Sequence, residues 1–374
     1  MSNDLTAVIP QLLAQGVLAL RENAKMPMLV NRSYDALAGA KGSTIDVPVP
    51  SAISATSVTP GPTPPSSVDS TPTSVPIVMN RWKEAVFHMT DQNIAEAMDG
   101  FVPMQVTSAI KALANEIDVF ILGLGAKFYG YTGTAGTDPF ADGTVIDATL
   151  PRKTLSNQLA PIDDRRFVFN ADAEANALLI RAFQDMSFSG SAAGIIEGQV
   201  NRKLGFDFFM DQNVPTHTAG TGASILVNDA STAVGQKVIP ADGGTGTILV
   251  GDIVTFAGDS QTYVVTSALA AGAFSIEPGL QVAVADNAAI TLKASHPLNL
   301  AFHRDAIAFA TRPLQNSNHP ASLFQSAVDS VSGLVLRLEV TREHRQDKYA
   351  FDVLYGAEVI RRELGTRVAG TPAA

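Results

Sequence analysis

Cysteine is absent from this 374-residue chain, which excludes disulfide staples, thiolate nucleophiles and cysteine-ligated zinc or iron–sulfur centres. Charge is sparse as well. Only 17% of residues are charged, and 36 acidic against 26 basic side chains leave a formal net charge of -10. Such a chain has no broad basic field for phosphates, so sequence-specific nucleic-acid binding is not expected. Long apolar runs are missing too. The one N-terminal apolar stretch, residues 5–20, follows Asp4 where a secretory leader would carry basic residues, is interrupted by Pro10, and is too short to span a bilayer. The expectation is a soluble, unexported protein without membrane partners.

What the chain does have is bulk: 46% of residues are hydrophobic, enough to bury a core and to form two or three domains. Leu5, Val8, Ile9, Leu12, Leu13, Val17 and Leu20 recur at three- and four-residue spacing. That predicts an amphipathic helix behind Asn3 or Asp4, packed on its own domain or on a neighbouring subunit. From residue 43 to 76, Pro48, Pro50, Pro60, Pro62, Pro64, Pro65, Pro72 and Pro76 stand among Ser and Thr with almost no charge. Flanking alternation (Ile45, Val47, Val49; then Ile77, Met79, Val86, Phe87) predicts strands at 44–49 and 75–89. An extended two-stranded arm fits this better than a disordered linker, since proline favours extension and removes backbone donors that could pair indiscriminately.

A short helix near residues 91–98 is predicted next, closed by Gly100. Then comes the clearest periodicity in the chain: Pro103 at a favoured first position, followed by Val106, Ile110, Leu113, Ile117, Phe120, Ile121 and Leu124, with Lys111, Asn115 and Asp118 off the stripe. A helix over 103–128 would be roughly 38 Å long at 1.5 Å per residue. Residues 130–143 read as a loop. Residues 165–169 read as a strand ending at Asn170, placed to cap a helix carrying Ala177, Leu178, Ile180 and Phe183. Residues 215–296 turn rich in Gly, Ala, Thr and Val, with Asp229, Asp242, Asp252, Asp259, Glu277 and Asp286 against Lys237 and Lys293. They predict a small acidic β-barrel, with strands at 247–250, 253–257, 262–266, 274–276 and 289–293. The α+β pattern resumes at Leu298, so the barrel reads as an insertion. Strands near 334–341 and 349–354 and a charged end at 358–367 close the chain. The mixed charges there, among them Arg337, Glu339, Arg342, Asp347, Asp352 and Arg367, suit either a surface that meets copies of itself or a solvated face.

The search for chemistry returns no catalytic, cofactor-binding or metal-ligating residue. His296 and His303 fall on a segment expected to be a strand, and no His-Glu-x-x-His spacing occurs. Asp163 and Asp164 look like a turn, with side chains set to diverge rather than cooperate. Gly123, Gly125 and Gly130 lie at a helix end and not between strand and helix. The glycine-rich stretches 132–137 and 243–246 lack Gly-Lys-Ser/Thr, and Gly190 with Ser191 has no preceding strand to form a nucleophile elbow. The chain does not read as an enzyme. A hydrolase on an unfamiliar fold and an exported β-rich cell-surface or adhesion protein remain as alternatives from other classes.

The order of these parts resembles the Hong Kong 97-like major capsid proteins of tailed phages. It is closest to the short-tailed-phage coat proteins that carry an inserted β-barrel domain. Residues 251–258 (Gly-Asp-Ile-Val-Thr-Phe-Ala-Gly) and 274–279 (Phe-Ser-Ile-Glu-Pro-Gly) are similar to that domain's strands. Residues 301–310 are similar to the return segment of the apical domain, and 352–356 to the closing peripheral strand. The resemblance implies an N-terminal arm (1–43), an extended loop (44–90) overlapping a neighbour, and a peripheral domain (91–164 and 316–374) with spine helix 103–128. It further implies an apical domain (165–214 and 297–315) and an inserted barrel (215–296). Implied partners are copies of the chain itself in pentamers and hexamers of an icosahedral shell, a scaffolding protein, a portal ring, a possible decoration protein and packaged double-stranded DNA. The implied location is the virion, assembled in the host bacterial cytoplasm. Some relatives crosslink through a lysine on the extended loop; residues 43–80 contain none, and Lys83 lies near its base, so a noncovalent shell is expected.

Overall fold

A computed structural model describes residues 13–14, 24–34, 44–50, 53, 55, 57–58, 60, 70–91, 101–185, 196, 198, 200–229, 232–314, 322–328 and 333–372. In chain order, helix α1 (Met26–Leu29) precedes strands β1 (Thr44–Val49), β2 (Thr73–Val78) and β3 (Arg81–Thr90), then helix α2 (Phe101–Gly123). Strand β4 (Gly130–Thr132), helix α3 (Ile146–Asn157), strand β5 (Arg165–Phe169) and helices α4 (Ala171–Leu179) and α5 (Arg181–Gln184) follow. A run of short strands comes next: β6 (Asp207–Met210), β7 (Thr216–His217), β8 (Leu226–Val227), β9 (Val238–Asp242) and β10 (Ile253–Phe256). It continues through β11 (Tyr263–Ala270), β12 (Ala273–Glu277), β13 (Ile290–Leu292), β14 (His296–Pro297) and β15 (Asn299–His303). The chain closes with β16 (Ile307–Arg312), β17 (Ser322–Val328), β18 (Val335–Glu343), β19 (Gln346–Val359) and β20 (Gly365–Val368). The predicted N-terminal helix falls outside the described residues except for the helical pair at 13–14. The helix expected at 91–98 falls outside them except for Asp91.

The chain forms two units: residues 1–17, 32–109 and 307–360 in the first, and 18–31, 110–306 and 361–374 in the second. In the first, β19 is the central strand. Its residues 346–355 pair with β3 along one edge, while 346–352 pair with β18 and 354–359 with β16 along the other. β17 extends the sheet beyond β18. The core face is set by alternation: Phe351, Val353, Leu336, Leu338 and Met89 are buried. The strand predicted over 75–89 is two strands. Asn80 N–H donates to the Val78 carbonyl at 3.0 Å, a three-residue turn that lets β2 pair with β1 while β3 pairs with β19.

The second unit holds a five-stranded sheet in the order β4-β20-β15-β5-β6. It joins strands from stretches that the sequence separates as peripheral (β4, β20) and apical (β5, β6, β15). Phe140, Phe167, Phe169, Phe183, Phe206 and Phe208 pack on it as one aromatic cluster. Asn170 caps α4 as expected, its side-chain oxygen accepting from Ala173 N–H at 3.2 Å.

A second sheet in this unit runs β13-β10-β11-β12-β9-β8 and nearly closes on itself. Ile290 N–H donates to the Ile225 carbonyl and Val227 N–H to the Ala288 carbonyl, both at 3.0 Å, linking its first and last strands. Val227, Ile239, Val254, Tyr263, Phe274 and Ile276 fill the interior. The strand expected at 247–250 is absent. Ile248 is buried there, but its carbonyl takes the Leu269 N–H and the Thr247 carbonyl takes Gly222 N–H, so the segment crosses strand ends instead of extending a ladder.

Helix α2 matches the helix expected over 103–128, with a 3-10 turn at Leu124–Lys127 completing it. Val106, Ile110, Leu113, Ile117 and Ile121 are buried, and Lys111 and Asn115 are exposed. Asp118 departs from the expected polar face and is fully buried. Its two oxygens accept from Lys25 N–H (3.1 Å) and Met26 N–H (3.0 Å), which ties the start of α1 to the helix. Burial, then the nearby charge of Asp211, raises its carboxyl to about 7, against the two backbone donors. A raised folded value means that the folded chain holds a proton the unfolded chain releases above pH 4. Stability should therefore fall as pH rises toward 7, by about 1.4 kcal/mol per pH unit at most, and level off beyond. Urea titrations between pH 5 and 8 should show this slope in the native chain and lose it in Asp118→Asn.

Candidate functional site

Two places combine polar chemistry or exposure with a defined scaffold. The first lies where the nearly closed sheet leaves the rest of its unit, at the two-residue pair β7–β14, with His217 opposite His296. His217 Nε2 lies 2.9 Å from the fully buried Asp252, whose oxygens also accept from Gly220 N–H (3.1 Å) and Leu249 N–H (2.7 Å). His296 is fully buried, and burial holds it down to about 4. It is neutral at pH 7, with Nδ1 donating to the Ala294 carbonyl at 2.8 Å, because a carbonyl can only accept. Arg367, also fully buried, donates to the carbonyls of Gly251 and Ala126; burial lowers it to about 9. Asp252 has its acceptor capacity taken up by backbone and imidazole. The arrangement fastens the ends of the nearly closed sheet.

His296 and His303, expected on a strand, lie on two successive strands, β14 and β15. The partner that His296 does meet, His217, is remote in sequence and carries no local signal. Asp163 and Asp164 lie in a bend, as expected. Gly123, Gly125 and Gly130 fall at the end of α2 and the start of β4, not in a strand-to-helix turn. Among the described residues, no three His, Asp or Glu side chains group to hold a metal ion, and no helix is long and apolar enough to cross a membrane.

The second place is the β1–β2 hairpin of the first unit, paired from Thr44↔Val78 to Val49↔Thr73. Ile45, Val47, Ile77 and Met79 are buried against Ala308 and Ala310 of β16, while Asp46, Pro48 and Pro76 face outward. Pro48 and Pro76 occupy pairs of the same class, Pro48↔Ser74 and Asp46↔Pro76. A prolyl nitrogen cannot donate, so these positions fit the non-hydrogen-bonded pairs, where the nitrogens face the outer edges and remove donors from them. The arm is thereby protected from random strand pairing. Its base is set by close approach: a Cβ on Gly356 of β19 would meet the Val78 carbonyl oxygen at 2.5 Å. Gly356→Val should lift β2 from the sheet and cost about 1–3 kcal/mol in denaturant unfolding, the range for overpacking. Past the paired strands, Ile53 and Val58 are 72% and 76% exposed, apolar side chains held away from their own core.

The same unit buries charge that the sequence left as a surface or a solvated face. Arg337 and Asp352 are 8% and 4% exposed and form a two-point ion pair, with Arg337 Nε at 2.9 Å from Asp352 Oδ1. Phe324 covers the guanidinium at 5.4 Å, and Trp82 Nε1 donates to Asp352 at 3.0 Å. Arg342 bonds both Asp347 and Asp91. Pairing within the chain therefore accounts for much of that charge.

Among the described residues the architecture is mixed α+β, with one long helix, a hairpin arm and three principal sheets. It is shared with solved structures. One chain, from Mycobacterium phage Che8, superposes with a TM-score of 0.52 at 15% identity, over 91% of this chain and 89% of that one. A chain from the capsid structure of the cyanophage P-SCSP1u gives 0.50 at 12% identity, over 89% and 85%. At such identities the likeness is one of fold. No family model matches this chain, and no curated protein sequence does.

Proposed function

We propose that this chain is the structural subunit of an icosahedral phage head, assembling as pentamers and hexamers into a shell around double-stranded DNA. The observation that carries this reading is the fold shared over about nine tenths of the chain with the P-SCSP1u capsid structure. The hairpin supports it, since an arm with its base fixed and its apolar end exposed suits contact with a neighbouring copy. The same likeness favours a shell protein over an exported adhesin, and nothing in the described residues favours a hydrolase.

In this reading the layout is Hong Kong 97-like. Residues 44–90 are the extended loop, α2 is the spine helix of a peripheral domain, and β5, β6 and β15 belong to an apical domain. Residues 215–296 are an inserted β-barrel fastened at His217, His296 and Asp252. Heterologous contacts between identical copies close such a shell. The net charge of -10 keeps the wall from replacing the counterions of packaged DNA. A scaffolding protein, a portal and a decoration protein are the partners this assignment calls for, and the virion is its location. Without a lysine in residues 43–80, the loop holds its neighbour noncovalently.

Gradient sedimentation of the chain expressed alone and with its neighbouring phage genes tests the reading. Fast-sedimenting particles that dissolve to single chains on a denaturing gel are expected. Only slow species under both conditions would refute the shell, and a ladder of covalent multimers would refute the noncovalent loop.

A further inference from the structure

Helix α3 ends in a way that local chemistry disfavours. Leu159 N–H donates to the Ser156 carbonyl at 3.2 Å and Ala160 N–H to the Leu155 carbonyl at 2.9 Å. These are the two bonds of a Schellman cap, whose left-handed position ordinarily takes glycine. Here it is leucine, at φ 60° and 89% exposed. Backbone strain and hydration both oppose a leucine there. Ile162, three residues on, is 68% exposed, and Asp164 ends the loop in a second left-handed conformation at φ 47°.

The loop is held firmly from beneath. Arg165, 2% exposed, donates from Nε to the Pro161 carbonyl (2.6 Å), from Nη2 to the Ala160 carbonyl (2.7 Å) and from Nη1 to Ser156 Oγ (3.2 Å). A buried guanidinium thus fixes the backbone in the shape that leaves two apolar side chains in water. Such pre-organised apolar anchors are the pattern of an interface.

Beside the loop lies a cleft of about 700 Å³ bordered by Tyr129, Tyr131, Leu150 and Gln158 and carrying Lys153 and Lys293. The Lys293 ammonium sits 5.7 Å from the Tyr131 ring centre. Gln158 Oε1 is buried with no hydrogen-bond partner. The loop offers two apolar groups followed by the exposed carboxylates Asp163 and Asp164; the cleft offers aromatic walls and two cations. Gln158 borders the cleft and Leu159 begins the loop, so the two features adjoin along the chain. That placement suits a twofold contact in which each copy's loop enters the other's cleft.

We propose that the loop at residues 159–164 docks into this cleft on a second copy of the chain, with Leu159 and Ile162 against the aromatic walls and Asp163 and Asp164 facing Lys153 and Lys293. This rests on the self-assembly reading. Leu159→Gly removes the anchor while relieving the left-handed strain, so the variant should melt no lower than the native chain yet associate at least tenfold more weakly by sedimentation. Ile162→Ser should weaken association in the same sense. A loop-reversed chain (Asp163→Lys with Asp164→Lys) and a cleft-reversed chain (Lys153→Glu with Lys293→Glu) should each associate poorly alone and recover when mixed. If the native chain assembles, and Leu159→Gly assembles equally well without recovery on mixing the reversed chains, the docking is wrong and the shell stands. If Leu159→Gly shells form normally but lose an accessory head protein, the loop belongs to that protein instead. A native chain that never self-associates would overturn both readings.

Discussion

Joining Val49 to Thr73 through Asn-Gly in place of residues 50–72 is expected to abolish shell formation while leaving the chain folded. Val49 and Thr73 face each other at the last described pair of the hairpin. A two-residue Asn-Gly link therefore closes the ladder with the turn that such strands prefer. The buried side chains at the base, Ile45, Val47 and Ile77, are untouched, and the shorter loop lowers the entropic cost of folding slightly. What the variant loses includes the exposed apolar side chains of Ile53 and Val58. Circular dichroism and melting should be close to native, whereas gradient sedimentation should show only slow species. Normal particles from this variant would mean that the arm has no part in assembly.

Asp352→Ala should be the most damaging single substitution to folding itself. It takes from the buried Arg337 guanidinium, 8% exposed, the carboxylate that binds it at two points beneath Phe324, and it removes the acceptor for Trp82 Nε1. Breaking one partner of a buried pair costs about 3–5 kcal/mol, a large share of the roughly 5–15 kcal/mol that a domain has. Replacing both members, Arg337→Met with Asp352→Leu, should cost much less, because the buried guanidinium is removed together with its carboxylate. Guanidinium unfolding of the three chains distinguishes these cases. A loss below about 1 kcal/mol for Asp352→Ala would place the pair in the weak class of exposed bridges.

The parts of the fold legible in the sequence are those whose signal is local. The stripe from Val106 to Leu124 predicted α2, alternation predicted β1 and the closing strands, and short runs between glycine-containing turns predicted β10 to β13. Asn170 before a helical run predicted its cap. Helix α3 went unread because Pro151 sits inside it and the preceding residues are glycine-rich. The spacing of Ala148, Pro151 and Leu155, all buried, was the available signal. Strands β4 and β20 are short, and they become visible only through pairing with partners far away in sequence. Long-range charge pairing was equally hidden. Asp118 looked like a surface residue because its period fell off the stripe, and only the chain at Lys25 and Met26 explains its burial. The same holds for Arg337 and Asp352, whose register across β18 and β19 brings together two charges that a sequence shows merely as neighbours in a charged region. For the functional surface, composition marked the hairpin through its prolines. The loop at Leu159 left no trace, since a leucine after a helix is ordinary until its conformation and exposure are known.

Electron microscopy of particles purified from cells expressing the chain with its neighbouring phage genes bears most directly on the central claim. Closed shells with five- and sixfold clusters, in which the arm beyond the paired strands β1 and β2, residues 50–72, lies across an adjacent copy, are the predicted result. A chain that stays a monomer or a small open oligomer, or a shell in which residues 50–72 touch only their own subunit, would contradict it.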